Sequence, residues 1–138
     1  MTRFLLDTGP LVALLSVHDA HHAWAHETLS AITQPAYTCE AVLVEACFLL
    51  RNTRRGVDGV LSLVSRGDLV PQFRLTSEIE AVRKLMTRYA SVPMSLADAC
   101  LVRMTELDAR ATVLTLDNDF RIYRRNGRQA VPVLMPEC

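Results

Sequence analysis

FLLDTGPLVALL (Phe4–Leu15) begins as an apolar run of the kind that fills an interior strand, and the run stops on a charge, Asp7. VLTLDNDF (Val113–Phe120), near the other end of the chain, repeats the pattern and stops on Asp117. A strand over Arg3 to Leu6 followed by a short helix starting near Gly9 and Pro10 fits the first stretch, because proline is tolerated in the first turn of a helix. On this reading Gly9, just before Pro10, is the natural cap and Asp7 has no capping duty. In sheets of parallel strands covered by helices, ligands bind outside the carboxyl ends of the strands. Asp7 and Asp117 both stand at such ends.

Working outward, strands and helices alternate. Asp19 can cap a second helix running to about Ile32. Ala36 to Thr38 reads as a short strand, EAVLVEACFLLRN (Glu40–Asn52) as a helix, VDGVLSLVSR (Val57–Arg66) as another, and DLVPQF (Asp68–Phe73) as a brief strand. Ser77 with Glu80 forms the signature of a capping box opening IEAVRKLMTRYA (Ile79–Ala90), and Ser95 with Asp98 does the same for LADACLVRMTEL (Leu96–Leu107). ATVLTL (Ala111–Leu116) is a strand, DFRIYRR (Asp119–Arg125) a short helix and VPVLM (Val131–Met135) a last strand. The order predicts an α/β domain over residues 1–138, with a mostly parallel central sheet of four to five strands and helices on both faces.

Bulk properties agree with one domain. The chain has 138 residues, half of them apolar, which suffices for one core and not for two. Charged residues cut every apolar run below the length that spans a bilayer, and the start lacks a secretory signal, so a cytoplasmic protein is expected. The four cysteines show no CxxC spacing, so neither a zinc ribbon nor a redox pair is suggested; Cys47 and Cys100 read as small core residues. Fifteen basic residues balance fifteen acidic ones, but Lys84 is the sole lysine, and Arg121, Arg124, Arg125 and Arg128 crowd into RIYRRNGR (Arg121–Arg128). Guanidinium groups favour planar oxyanions such as phosphate, and a solvated helix face accounts for the same run.

Glu45 adds a second anomaly, since its neighbours one turn away are Ala41, Val42, Phe48 and Leu49. A carboxylate on an apolar face needs a compensating partner or takes up a proton. Asp98 lies similarly among Met94, Leu101 and Val102, although it can also cap its helix, and Asp117 can cap DFRIYRR. Buried arginine partners for Asp7 and Glu45 would satisfy a purely structural reading, but such pairs often fail to offset desolvation. Several carboxylates in one cleft are reconciled by a hard divalent cation, and an all-oxygen donor set selects Mg²⁺ or Mn²⁺ over zinc. An ion so held can activate water against a phosphodiester.

In their order along the chain, Asp7 after a strand, Glu45 on a helix, Asp98 in SLADA (Ser95–Ala99) and Asp117 with Asp119 in TLDNDF (Thr115–Phe120) resemble the PIN domain, and most of all the small VapC-type toxins. The resemblance spans the chain in length and element order. It implies a metal-dependent endoribonuclease, the toxin of a type II toxin-antitoxin system, with Asp7, Glu45, Asp98 and Asp117 as the catalytic acids. Asp7, Asp98, Asp117 and Asp119 would be the Mg²⁺ or Mn²⁺ ligands, and Thr8 and Thr115 the hydroxyls that steady them. It also implies an RNA substrate, an antitoxin partner and a homodimer. Arg121 and Arg124 are expected to hold RNA phosphates. Many relatives carry Asn or Ser where this chain has Gly9, which removes a polar contact.

Other readings meet obstacles. An orphan PIN ribonuclease without an antitoxin, or an RNA-binding PIN module that cuts nothing, keeps the same residues. A phospho-receiver domain wants a lysine after its last strand, where this chain has Pro136 and Glu137, and a haloacid-dehalogenase-like phosphatase wants an Asp at position 9. HDAHHAWAH (His18–His26) spaces His18, His22 and His26 for one helix face, a surface better suited to RNA, a partner or solvent than to zinc, because no cysteine ligand is near.

Overall fold

The structure, a computed structural model, describes residues 1–137; Cys138 lies outside them. Five parallel strands form the central sheet in the order β3-β2-β1-β4-β7: β1 (Arg3–Leu6), β2 (Ala36–Thr38), β3 (Leu69–Pro71), β4 (Ala111–Leu114) and β7 (Val133–Leu134). Six helices surround it: α1 (Thr8–Leu15), α2 (His22–Ser30), α3 (Glu40–Leu49), α4 (Gly56–Ser65), α5 (Leu75–Arg88) and α6 (Leu96–Leu107). β1 is central and pairs residue for residue with β4, Arg3 to Leu6 against Ala111 to Leu114. Leu5, Leu6, Val113 and Leu114 are all 4% exposed or less. Covered on both faces, these strands read as continuous apolar runs rather than alternating ones.

The two faces separate by strand parity. Arg3 and Leu5 look onto a groove shared with α5 and α6, whereas Leu6 shares a groove with α1 and α2. Helix α3 packs on α1, α4 and α6. Cys39 and Cys100 are buried side by side; contact with the Cys100 thiol and burial push the Cys39 thiol far above its ordinary range, which marks an inert core residue. Among the described residues no helix is long and apolar enough to cross a membrane.

Several expectations need correction. Asp7, not Gly9, caps α1, and its side chain accepts from the Thr8 N–H. The helix therefore starts before Gly9, and Pro10 sits in the first turn, where its missing N–H costs no hydrogen bond. Helix α2 starts only at His22, and Asp19 instead receives the His21 N–H within the preceding turn. Helix α5 starts at Leu75, so Ser77 lies inside its first turn and no capping box forms; Glu80 pairs with Arg83. The largest departure is DFRIYRR. A single 3-10 turn covers Asn118–Arg121, after which β5 (Arg124–Arg125) and β6 (Gln129–Ala130) make an antiparallel hairpin. Asn126 and Gly127 hold φ of 51° and 80° at its bend, a conformation that an Asn-Gly pair adopts more readily than other residues.

Candidate active site

At the carboxyl ends of β1 and β4, a cleft of roughly 660 Å³ is lined by Asp7, Glu45, Asp98 and Asp117 together with Thr8 and Gly9. Each acid arrives from a different element. Asp7 ends β1 and is 6% exposed. Its Oδ1 accepts from the Thr8 N–H at 2.8 Å and its Oδ2 from the Thr115 hydroxyl at 2.7 Å. Thr115, fully buried just beyond β4, also accepts the Asp117 N–H at 3.0 Å, so one hydroxyl ties together the ends of both strands.

Asp98 serves two ends at once. It closes the capping box of α6, taking the Ser95 N–H at 3.2 Å while its own N–H reaches the Ser95 hydroxyl at 3.0 Å. Tyr123, fully buried, donates its hydroxyl to the same oxygen, Oδ2, at 2.9 Å, so both hydrogen bonds to the carboxylate fall on one oxygen. Asp117 caps the 3-10 turn through the Asp119 N–H at 2.9 Å. Capping and cleft lining coexist in one side chain because a carboxylate has about four acceptor positions.

Electrostatics mark the site more sharply than its volume. Burial lifts the Asp7 carboxyl to about 6, against the pull of the Thr115 and Thr8 bonds and helped by the Asp98 and Asp117 charges. Asp98 is raised by burial, and Asp117 adds to it while the Ser95 and Tyr123 bonds oppose. Glu45 is raised by burial and by Asp98. Burial and the Asp98 charge likewise push the Tyr123 phenol upward, so it stays a donor. The carboxyls thus lie close enough to disfavour one another's charge, a situation a divalent cation relieves.

The donor set fits Mg²⁺ or Mn²⁺, being all oxygen, and the Thr8 hydroxyl is buried without a protein partner at the cleft wall. Among the described residues, however, no three His, Cys, Asp or Glu side chains already converge as an ion-holding group. Ligation would require the carboxylates to draw inward. A Cβ at Gly9 would stand 3.2 Å from the Leu116 side chain, a tight approach that Leu116 would have to yield to by a few tenths of an ångström.

Some predicted residues sit differently from what the sequence suggested. Glu45 is exposed rather than sunk in the core, because its neighbours Val44, Phe48 and Leu49 are themselves 71%, 61% and 54% exposed. Thr8 reaches Asp7 through its backbone, not its hydroxyl. Asp119 does not line the cleft, whereas Asn118 does. Arg121 is exposed and outside the lining, and the Arg124 guanidinium turns back onto the carbonyls of Arg121, Ile122 and Tyr123. His18 precedes α2 instead of sharing its face, and the His22 ring donates to the Ala13 carbonyl at 2.8 Å. Tyr123, Asp19 and His21 were not singled out by sequence as site residues. Tyr123 lies in RIYRR, where the arginines draw attention, although a lone tyrosine in that company is a polar handle on an apolar body.

A parallel sheet that gathers carboxylates from β1, α3, α6 and the end of β4 at one rim defines an acid-cluster α/β domain. The chain belongs to the PIN domain family, whose sequence model matches residues 4–126. It resembles in structure the Mycobacterium tuberculosis VapC20, a Sarcin-Ricin loop cleaving toxin, with a TM-score of 0.69 and 20% identity over 84% of this chain and 91% of that one. VapBC2 from Rickettsia felis, solved bound to a DNA fragment from its promoter, aligns with a TM-score of 0.65 and 13% identity over 99% of this chain and 100% of the other. No curated protein gives a significant match to the sequence.

Proposed function

We propose that this PIN domain is a metal-dependent endoribonuclease of the VapC toxin type, acting in the cytoplasm. The observation that carries the reading is the shared cleft: Asp7, Asp98 and Asp117 come from separate elements to one rim, where the Asp98 and Asp117 charges add to burial in raising Asp7 and the Asp117 charge adds to burial in raising Asp98. Family membership and the likeness to VapC folds agree with it.

Asp7, Asp98 and Asp117 would hold Mg²⁺ or Mn²⁺, with Glu45 facing them from α3 and Asp119 available from the 3-10 turn. When bound, the ion offsets phosphate charge and acidifies water. The chain's own groups do the rest. Thr115 fixes the Asp7 carboxylate and the Asp117 backbone relative to each other, and Tyr123 with Ser95 holds Asp98 by Oδ2, leaving Oδ1 for a ligand. Glu45, exposed in the cleft lining and raised in proton affinity, would accept a proton from the attacking water. Attack by water rather than by the ribose leaves 5′-phosphate and 3′-hydroxyl ends.

Val44, Phe48 and Leu49 of α3, with Leu61 of α4, leave an exposed apolar strip beside Glu45. Such a strip supports a protein partner here, an antitoxin or a second copy.

Cleavage of a mixed cellular RNA pool by the purified protein in Mg²⁺, Mn²⁺ or EDTA, beside Asp7→Asn, tests the reading. Cutting is expected with either metal and with neither EDTA nor Asp7→Asn. Cyclic 2′,3′-phosphate products, or cutting that survives EDTA, would refute it.

A further inference from the structure

Every ionisable side chain that lines the cleft is acidic except one. Asp19 joins the four acids already described, no Lys or Arg contributes to the lining, and His21 is the single residue there whose side chain can carry positive charge. RNA is a polyanion, and its phosphates on either side of the cut must pass this rim. Of the guanidiniums expected to meet them, Arg121 does not line the cleft and Arg124 donates to three carbonyls of its own turn.

His21 is also held in place. The connection between α1 and α2 is tied by Asp19 N–H to Ser16 O at 3.0 Å and His22 N–H to Asp19 O at 3.0 Å. The His21 N–H reaches Asp19 Oδ1 at 2.8 Å, and the His22 ring anchors α2 to α1 through Ala13 O at 2.8 Å. His21 is the cap residue of α2, but its side chain makes no capping bond, and the residue is exposed. The backbone thus fixes its position while the ring is left to the cleft. An imidazole donates an N–H to a phosphate oxygen and adds charge when protonated.

We propose that His21 binds substrate in this cleft, its imidazole donating to a non-bridging oxygen of the RNA phosphate next to the one that is cut. His21, rather than Arg121 or Arg124, supplies the cationic contact of the rim. The assignment rests on the ribonuclease reading.

Its test is steady-state cleavage of a short single-stranded RNA in Mg²⁺, and binding of the same RNA in EDTA over a salt series, for wild type, His21→Ala, His21→Lys and His18→Ala. His21→Ala should raise KM about tenfold, the order expected for loss of one hydrogen bond to a charged group, with kcat within about twofold. The logarithmic salt slope of binding should shrink, by up to about 0.7 when the imidazole is fully protonated. His21→Lys should restore both, and His18→Ala, which removes an exposed imidazole outside the cleft, should change neither. A His21→Ala protein with the wild-type KM and salt slope overturns the inference and leaves the nuclease standing. So does equal damage in His21→Ala and His21→Lys with kcat falling alongside, which assigns a structural role. Wild type that neither binds nor cuts RNA overturns the nuclease reading and this inference with it.

Discussion

Asp7 carries its charge at the most enclosed point of the cleft, and the cost of doing so depends on pH. Its folded carboxyl titrates at about 6, against 3.8 when free. Below the lower value both states are protonated and nothing is lost. Between the two the folded state keeps a proton the unfolded chain has released, so stability falls as pH rises and the full penalty, about 3 kcal/mol, applies above pH 6. In EDTA at pH 7.5, Asp7→Asn should therefore melt several degrees above wild type, and the difference should vanish near pH 3.5. Mg²⁺ should raise the wild-type midpoint and leave the variant's unmoved; a variant that melts below wild type in EDTA would mean that the Thr115 and Thr8 bonds outweigh desolvation. Asp7 and Asp117 were legible in sequence because a charge closing an apolar strand is a local signal. Glu45 was only half legible: helical spacing finds an apolar face but not whether that face meets the core or the surface, and here Val44, Phe48 and Leu49 lie outside.

Helix α6 shows how an element can serve fold and site with the same atoms. Its capping box fixes the Asp98 backbone and side chain together, so Ser95→Ala removes the acceptor for the Asp98 N–H and loosens the carboxylate. A loss of about 1 kcal/mol in urea unfolding is expected, with cleavage reduced severalfold; unchanged cleavage at reduced stability would confine Ser95 to the cap. That start was visible in sequence because reciprocal capping is encoded within four residues. Helix α5 misled for the same reason reversed: Ser77 and Glu80 have the right spacing, but the helix had already begun at Leu75. The segment after Asp117 was misread because its arginines suit a helix by composition. Its Asn126-Gly127 pair, with both φ values positive, turns the chain into a hairpin instead.

For the molecule as a whole, the sheet order could be anticipated only as far as parallel strands with helices between them. Which strand occupies the centre depends on long-range pairing that no local pattern encodes. β1 takes that place, flanked by β2 and β4, and Leu114 of β4 is fully buried beside it. Leu114→Ala should cost about 2–5 kcal/mol through the lost contacts and the cavity left behind. Because Thr115 follows directly and bridges Asp7 to Asp117, the same variant should lose Mg²⁺-induced stabilisation disproportionately; a purely global loss, with the metal shift intact, would argue that β4 can loosen without disturbing the rim.

The Thr115 bridge also orders events in time. Asp7 emerges early when the chain is synthesised, but the hydroxyl that orients it is separated from it by 108 positions, and Asp117 follows two residues later. A ribosome that has not yet delivered β4 carries a first strand without its neighbour and an acid without its counterpart. The acid rim of the nascent polypeptide thus stays incomplete until nearly the whole domain has been translated, a delay imposed by topology alone.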